Sequence, residues 1–218
     1  MTDLLQLLNQ WDTDLLLAIN GWHNGYWDTF MYAFSGKWVW VPMYAALVYL
    51  LARNLPWRTT LWCLVGVALC ITFADQVGAS LIRPWAERLR PANPENPISD
   101  LVHIVNGYRG GRYGFPSCHA ANTFGLAFYL MLVVRRKALT GLLVAWALVT
   151  CYSRAYLGVH YPGDLLAGAL LGLAGAALCY TLFRLVARYE RPRRFRQLWV
   201  PALVCGLTVA AMLVYACF

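Results

Sequence analysis

Twelve residues, Ser153-Arg154-Ala155-Tyr156-Leu157-Gly158-Val159-His160-Tyr161-Pro162-Gly163-Asp164, put a serine, an arginine, a histidine and a carboxylate inside an otherwise lipid-like sequence. Ionisable groups are costly in or beside hydrocarbon, so such a cluster needs partners and usually has a function. His160 and Asp164 stand four apart. At that spacing a carboxylate can bond one imidazole nitrogen, fix the tautomer and leave the other nitrogen free to attack. Two further clusters lie upstream, Arg83 to Arg90-Pro91 and Pro116-Ser117-Cys118-His119. Arg83 and Arg90 are seven apart, two turns on one face if a helix continues through them. Two converging guanidiniums can fork around phosphate oxygens, although snorkelling interfacial arginines would look the same. Ser117 precedes an apolar helix whose N-terminus welcomes an anion; it can cap that helix or donate to a phosphate. His119 stands at the same mouth. Together these groups suit holding a phosphate and attacking it.

The elements that must position them are helices in a bilayer. The chain has 218 residues, of which 60% are hydrophobic and only 13% charged, about half the charge of a soluble domain. Apolar runs at 38–52, 59–80, 122–134, 139–151, 165–185 and 198–217 predict six transmembrane helices, so residues 1–218 read as one all-α membrane domain. The third and fourth runs are short because polar clusters occupy their ends. Residues 1–30 read as an interfacial segment: Leu4, Leu5, Leu7, Leu8, Trp11 and Leu15 alternate with Gln6, Gln10, Asp12 and Asp14, a pattern for a helix lying on the membrane. The start is acidic rather than basic and shows no cleavable leader pattern.

Charge placement predicts orientation. Connections on the side away from the clusters hold eleven of the eighteen basic residues against one acid, Glu190. By the positive-inside rule that side is cytoplasmic and the clusters face outward. The Arg191 to Arg196 run suits anionic headgroups better than nucleic acid, which is not expected as a partner. The seven cysteines form no C-x-x-C pair and read as small core residues. One long loop, 84–115, lies on the outer side and is expected to cover the site; such loops are usually functional or disordered.

Order, spacing and span context of the three clusters resemble the signature of the type 2 phosphatidic acid phosphatase (PAP2) superfamily. That pattern is Lys-x6-Arg-Pro, then Pro-Ser-Gly-His, then Ser-Arg-x5-His-x3-Asp. Here it reads Arg83-x6-Arg90-Pro91, Pro116-Ser117-Cys118-His119 and Ser153-Arg154-x5-His160-x3-Asp164. The resemblance covers residues 75–168 and implies a lipid phosphatase. It makes His160 the nucleophile, Asp164 its support and His119 the acid that protonates the leaving group and then activates water. Arg83, Arg90, Arg154, Ser117 and the backbone at Cys118 would hold the phosphate. It implies no metal and no cofactor. Two departures stand out: Arg83 replaces lysine, and Cys118 replaces a glycine whose freedom at positive φ a side chain would remove.

The expected partner is a phosphorylated lipid in the outer leaflet of a bacterial cytoplasmic membrane: undecaprenyl pyrophosphate, phosphatidylglycerol phosphate or a phosphate of lipid A. A lipid phosphotransferase using the same site, or a non-enzymatic phospholipid binder or transporter, are the rival readings. Asp75 is expected to pair with Arg154 or with a neighbouring helix, and Arg109 and Arg112 to catch a headgroup or simply face solvent. His23 and His103 carry no expected role.

Overall fold

The computed structural model describes residues 2–218, with side chains from Leu4 onward, and all regular structure among them is helical. Helices α1 (Thr2–Asn20) and α2 (Gly25–Phe34) precede a 3-10 turn, Trp38–Trp40, that leads directly into α3 (Val41–Asn54). Helix α4 (Trp57–Asp75) continues through a π-helical stretch, Gln76–Ile82, into the short α5 (Arg83–Ala86). Then come α6 (Cys118–Val134), α7 (Lys137–Tyr156), α8 (Pro162–Ala187) and α9 (Trp199–Tyr215). Pro162 opens α8 in the first turn, where no N–H is missed. Left-handed residues, Arg135 and Arg188, close α6 and α8.

Trp57–Ala86, Lys137–Tyr156 and Pro162–Ala187 are long and apolar enough to cross a membrane; Cys118–Val134 and Trp199–Tyr215 are apolar but shorter. Leucines and valines of α4, α8 and α9, among them Leu61, Leu69, Leu170, Leu182, Leu203 and Leu207, point outward. A soluble chain would bury such residues, so the protein is a membrane protein.

Helix α6 is the core of the bundle, with α4, α7 and α8 around it. Its approach to α8 is set by small residues. A Cβ on Gly168 would lie 2.3 Å from the Ser117 carbonyl oxygen, and one on Gly172 would lie 2.3 Å from that of Ala121. Only glycine allows the two backbones to meet this closely. The consequence is functional, because the N-terminus of α6 is locked beside the start of α8: Ser117 N–H donates to the Asp164 carbonyl at 3.0 Å.

Helix α1 touches the bundle mainly through its C-terminal end. Leu4, Leu8, Trp11 and Leu15 are exposed, while Leu16 and Asn20 are fully buried against the bundle. Loop 84–115 is stitched to the site by its own backbone. Arg90 N–H bonds Arg112, Gly114 N–H bonds Arg88 and Ala92 N–H bonds Gly158.

Candidate active site

Arg83 and Arg90 do not share a helix face. The helix stops at Glu87, whose φ is +44°, and Arg90 lies beyond it, next to an isolated antiparallel bridge between Leu89 and Tyr113. Both side chains nevertheless reach one cavity, Arg83 from the helix and Arg90 from the loop. Pro84 is harmless because it falls in the first turn of α5.

His160 sits in the turn between α7 and α8, 1% exposed. Its Nε2 is 2.8 Å from Arg90 Nη1. A guanidinium only donates, so Nε2 must be the accepting, unprotonated nitrogen and the ring's hydrogen is on Nδ1. Arg90 also bonds the carbonyls of Val159 and Tyr113 through Nη1 and Nε at 2.9 and 3.1 Å. Burial, then Arg90, Arg154 and Arg83, push the His160 pKa well below its usual value, so the ring is neutral. Burial and the two neighbouring arginines likewise bring Arg90 down to about 10. A phosphate placed between these cations would relieve their mutual repulsion.

Asp164 lies behind the ring. Its Oδ2 is 3.5 Å from His160 Nδ1 and accepts from the Tyr161 N–H at 3.1 Å. The expected carboxylate–imidazole bond is therefore a loose contact. What fixes Asp164 is Arg88, which the sequence reading passed over. Arg88 Nη1 donates to Asp164 Oδ1 at 2.8 Å and Nη2 to Asp12 Oδ2 at 2.7 Å. The guanidinium lies 4.1 Å from the centre of the Tyr161 ring. Burial opposes the charge of Arg88, but Asp164 and Asp12 more than offset it and raise its pKa. Asp12 also accepts from the Gly163 N–H at 2.7 Å. Helix α1 is thus latched onto the turn that carries His160. Gly114 closes the other side, where a Cβ would meet Asp164 Oδ2 at 3.0 Å.

Ser117 caps α6 through a long bond from the Ala120 N–H, 3.4 Å. It is fully buried and lies behind the cavity wall rather than on it. Cys118 and His119 do line the cavity. Cys118 begins a right-handed helix, so no positive φ is needed at this position, and its Sγ accepts from Arg83 at 3.1 Å. Arg83 also donates to the Pro116 carbonyl at 3.0 Å.

Arg154 is 2% exposed. It donates to the Ser35 hydroxyl and, at 3.0 Å, to the Tyr108 hydroxyl. Tyr108 is half-buried, which raises its pKa, but Arg154, Arg90 and Lys37 outweigh burial and lower it. The Nε atoms of Arg83 and Arg154 are buried donors without partners, an arrangement suited to an anion. Asp75 bonds Asn122 across α4 and α6 at 3.1 Å rather than Arg154. Arg109 holds the Ala92 carbonyl and Arg112 pairs with exposed Glu95, so both serve the loop. Lys37, Ser35, Tyr108, Arg88 and Asp12 are the participants that sequence spacing missed. Ser35 and Lys37 flank Gly36, and nothing in that short stretch marks a site.

The cavity has a volume of about 620 Å³. At one end stand Lys37, Arg83, Arg90, His119 and His160; the rest is walled by residues such as Leu47, Leu51, Leu64, Val67, Leu130 and Trp146. Along α6 its lining runs from His119 to Leu130, about 16 Å of helix.

A helical bundle with a histidine, a second histidine and converging arginines at one end defines a class. The PAP2 superfamily profile matches residues 59–188, and the chain belongs to that superfamily as one of its lipid phosphatases. It is 53% identical over 188 residues, 86% of this chain and 84% of the relative, to the lipid A 4'-phosphatase of Bacteroides thetaiotaomicron. It is 34% identical over 172 residues, 79% of this chain and 72% of the relative, to the lipid A 4'-phosphatase of Porphyromonas gingivalis. The crystal structure of Aquifex aeolicus LpxE shares the fold, with a TM-score of 0.58 and 21% identity over 78% of this chain and 94% of that one.

Proposed function

We propose that the protein removes a phosphate monoester from a glycolipid of the lipid A type, at the outer face of the bacterial cytoplasmic membrane, through a phosphohistidine on His160. The observation that carries this is the shape of the cavity: a cationic end holding two histidines runs into an apolar shaft. A substrate matching both must join a phosphate to hydrocarbon. The names of the two relatives favour lipid A over undecaprenyl pyrophosphate and phosphatidylglycerol phosphate.

In this reading α3, α4, α6, α7, α8 and α9 cross the bilayer and α1 lies on it. Exposed tryptophans support the placement: Trp22, Trp38 and Trp85 at the site end, Trp57 and Trp199 at the other. Trp57 and Trp85 are separated by about 42 Å of helix, close to a bilayer with its headgroups.

The incoming phosphate draws Arg90 Nη1 from His160 Nε2 onto one of its own oxygens, and the Nε2 lone pair so released attacks phosphorus in line with the ester oxygen. As the P–O bond breaks, His119 gives its proton to the leaving sugar oxygen. Arg83 and Arg90, with the N–H groups at Cys118 and His119, take the charge of the transferring phosphoryl group; Arg154 adds its charge from behind the wall, and Ser117 caps the helix that presents those N–H groups. Water then attacks phosphorus, His119 takes one of its protons, and cleavage of the P–N bond returns neutral His160 and inorganic phosphate. His119 must be protonated first, and the incoming dianion favours that. Asp164, held by Arg88, orients the nucleophile.

The test is phosphate release, with chelator present, from lipid A bisphosphate, undecaprenyl pyrophosphate and phosphatidylglycerol phosphate. The expected result is fastest release from lipid A, lost in His160→Ala. Equal or faster release from the other lipids would refute the substrate assignment. Dephosphorylated lipid formed without matching free phosphate would identify a phosphotransferase instead.

A further inference from the structure

Away from the cavity, the turn between α1 and α2 meets loop 84–115 at three side chains of metal-binding type. The rings of His23 and His103 lie face to face, 3.6 Å apart and inclined by 6°. His103 Nε2 is 2.9 Å from Asp28 Oδ2. One donor atom from each of the three residues falls within 4.8 Å of the others.

Their surroundings hold them in place. The other oxygen of Asp28 accepts from the Tyr156 hydroxyl at 2.7 Å. Asn20, almost fully buried, clamps the main chain of His103 from both sides. It accepts from the His103 N–H at 2.7 Å and donates to the His103 carbonyl at 3.0 Å. The same amide donates to the Tyr156 carbonyl at 2.7 Å, which ties the clamp to the end of α7. A simple His103–Asp28 bond would require neither the second imidazole nor the oriented carboxylate.

We infer that His23, Asp28 and His103 bind one late transition-metal dication, zinc above all, and so rivet the α1–α2 turn to the loop that carries Arg90, Tyr108 and Gly114. Two neutral imidazoles and one carboxylate suit zinc, with water in the fourth position; magnesium and calcium prefer oxygen alone. Bonds of about 2.0–2.2 Å in a tetrahedron separate donors by about 3.3 Å. The exposed ring of His23 therefore swings inward and fans away from His103, so that the metal lies near both ring planes. Tyr156 plays the outer-shell part, orienting the carboxylate. None of the three ligands lines the catalytic cavity, so the metal braces the loop and takes no part in phosphoryl transfer.

The experiment uses the full chain in detergent, without a polyhistidine tag and stripped by chelator. Zinc chloride is titrated calorimetrically, and thermal unfolding is followed with and without zinc. One zinc per chain is expected. At zinc about 100-fold above Kd, unfolding should shift upward by several degrees. His23→Ala and His103→Ala should each weaken binding at least about tenfold. Tyr156→Phe should weaken it about tenfold with unchanged stoichiometry, as outer-shell losses do. His23 is exposed, so its variant should unfold in chelator at the wild-type temperature. Absence of zinc binding, or binding equal in wild type and both histidine variants, would overturn the inference. So would magnesium competing on equal terms.

Discussion

Arg90 Nη1 donates to His160 Nε2 across 2.8 Å, and that contact assigns which imidazole nitrogen carries the lone pair. Because a guanidinium cannot accept, the lone pair on Nε2 points at the cation cluster and into the cavity, where a phosphate would arrive. The same arginine is poised to bond the phosphate oxygen nearest the attacking nitrogen. Removing His160 should therefore end turnover, while removing Arg90 should impair both binding and attack. His160→Ala is expected to lower kcat by about 10⁴-fold or more. Labelling quenched in alkaline detergent, which preserves the acid-labile P–N bond, should place radioactive phosphate on His160 in the wild type and on no residue in the variant.

In the proposed mechanism Arg88 is a positioning residue. It fills Asp164 Oδ1 and is itself held by Asp12. Arg88→Ala leaves a fully buried carboxylate without its counter-charge and frees it to turn from His160. A loss of about 10²-fold in kcat is expected, since small misplacements of a catalytic group have costs of that order. Because Arg88 does not line the cavity, KM should change little. Arg88→Lys should recover part of the loss, as it restores charge but not the fork. A variant that lost substrate affinity alone would contradict this role.

In the proposed reading the apolar shaft takes the lipid chain and leaves the chemistry to the cationic end. Leu47→Trp, on the wall formed by α3, should obstruct a long acyl chain. A fall of about 10-fold or more in kcat/KM is expected for a long-chain substrate, with kcat on a short-chain phosphate ester unchanged. A loss shared equally by both substrates would mean that the chain lies elsewhere.

Acid should affect stability before it affects the free nucleophile. Burial and the neighbouring guanidiniums lower the His160 pKa in the folded protein, whereas the unfolded chain takes up that proton near pH 6.5. Between those pH values the unfolded state binds more protons, so stability falls as pH drops through 6.5. The unfolding midpoint should decline from pH 7 to pH 5, and decline less in His160→Asn. After correction for substrate ionisation, the acid limb of kcat/KM attributable to the nucleophile should lie well below 6.5.

Cys118→Gly should be tolerated. The helical backbone at this position accepts either residue, and Arg83 keeps its bond to the Pro116 carbonyl. Activity should fall by no more than about fivefold, the value of one ordinary hydrogen bond of roughly 1 kcal/mol. A collapse of phosphate release would show that the sulfur has a role of its own.

Much of the candidate site is legible in the sequence, but not its supports. His119, His160, Arg83 and Arg90 stood out because charged side chains in apolar surroundings are expensive to keep. Asp12 and Arg88 did not, since acids and arginines on an amphipathic helix and in a polar loop are ordinary. Nor did the pairing of His23 with His103, whose rings come from the α1–α2 turn and from the distant loop.

What the sequence determined by itself was chemistry and medium: apolar runs at helical length, a basic side, and three clusters whose spacing names a superfamily. These are local properties, carried by neighbours along the chain. The tertiary structure alone decided which guanidinium faces Nε2, that Arg88 rather than His160 holds Asp164, and that the cationic end of the cavity opens into an apolar shaft. Those contacts join residues 70 or more positions apart, as between Arg90 and His160 or between Asp12 and Gly163. Side-chain reach along one segment does not encode them; they exist only because Gly168 and Gly172 let α8 lie against α6 and the loop folds back across both.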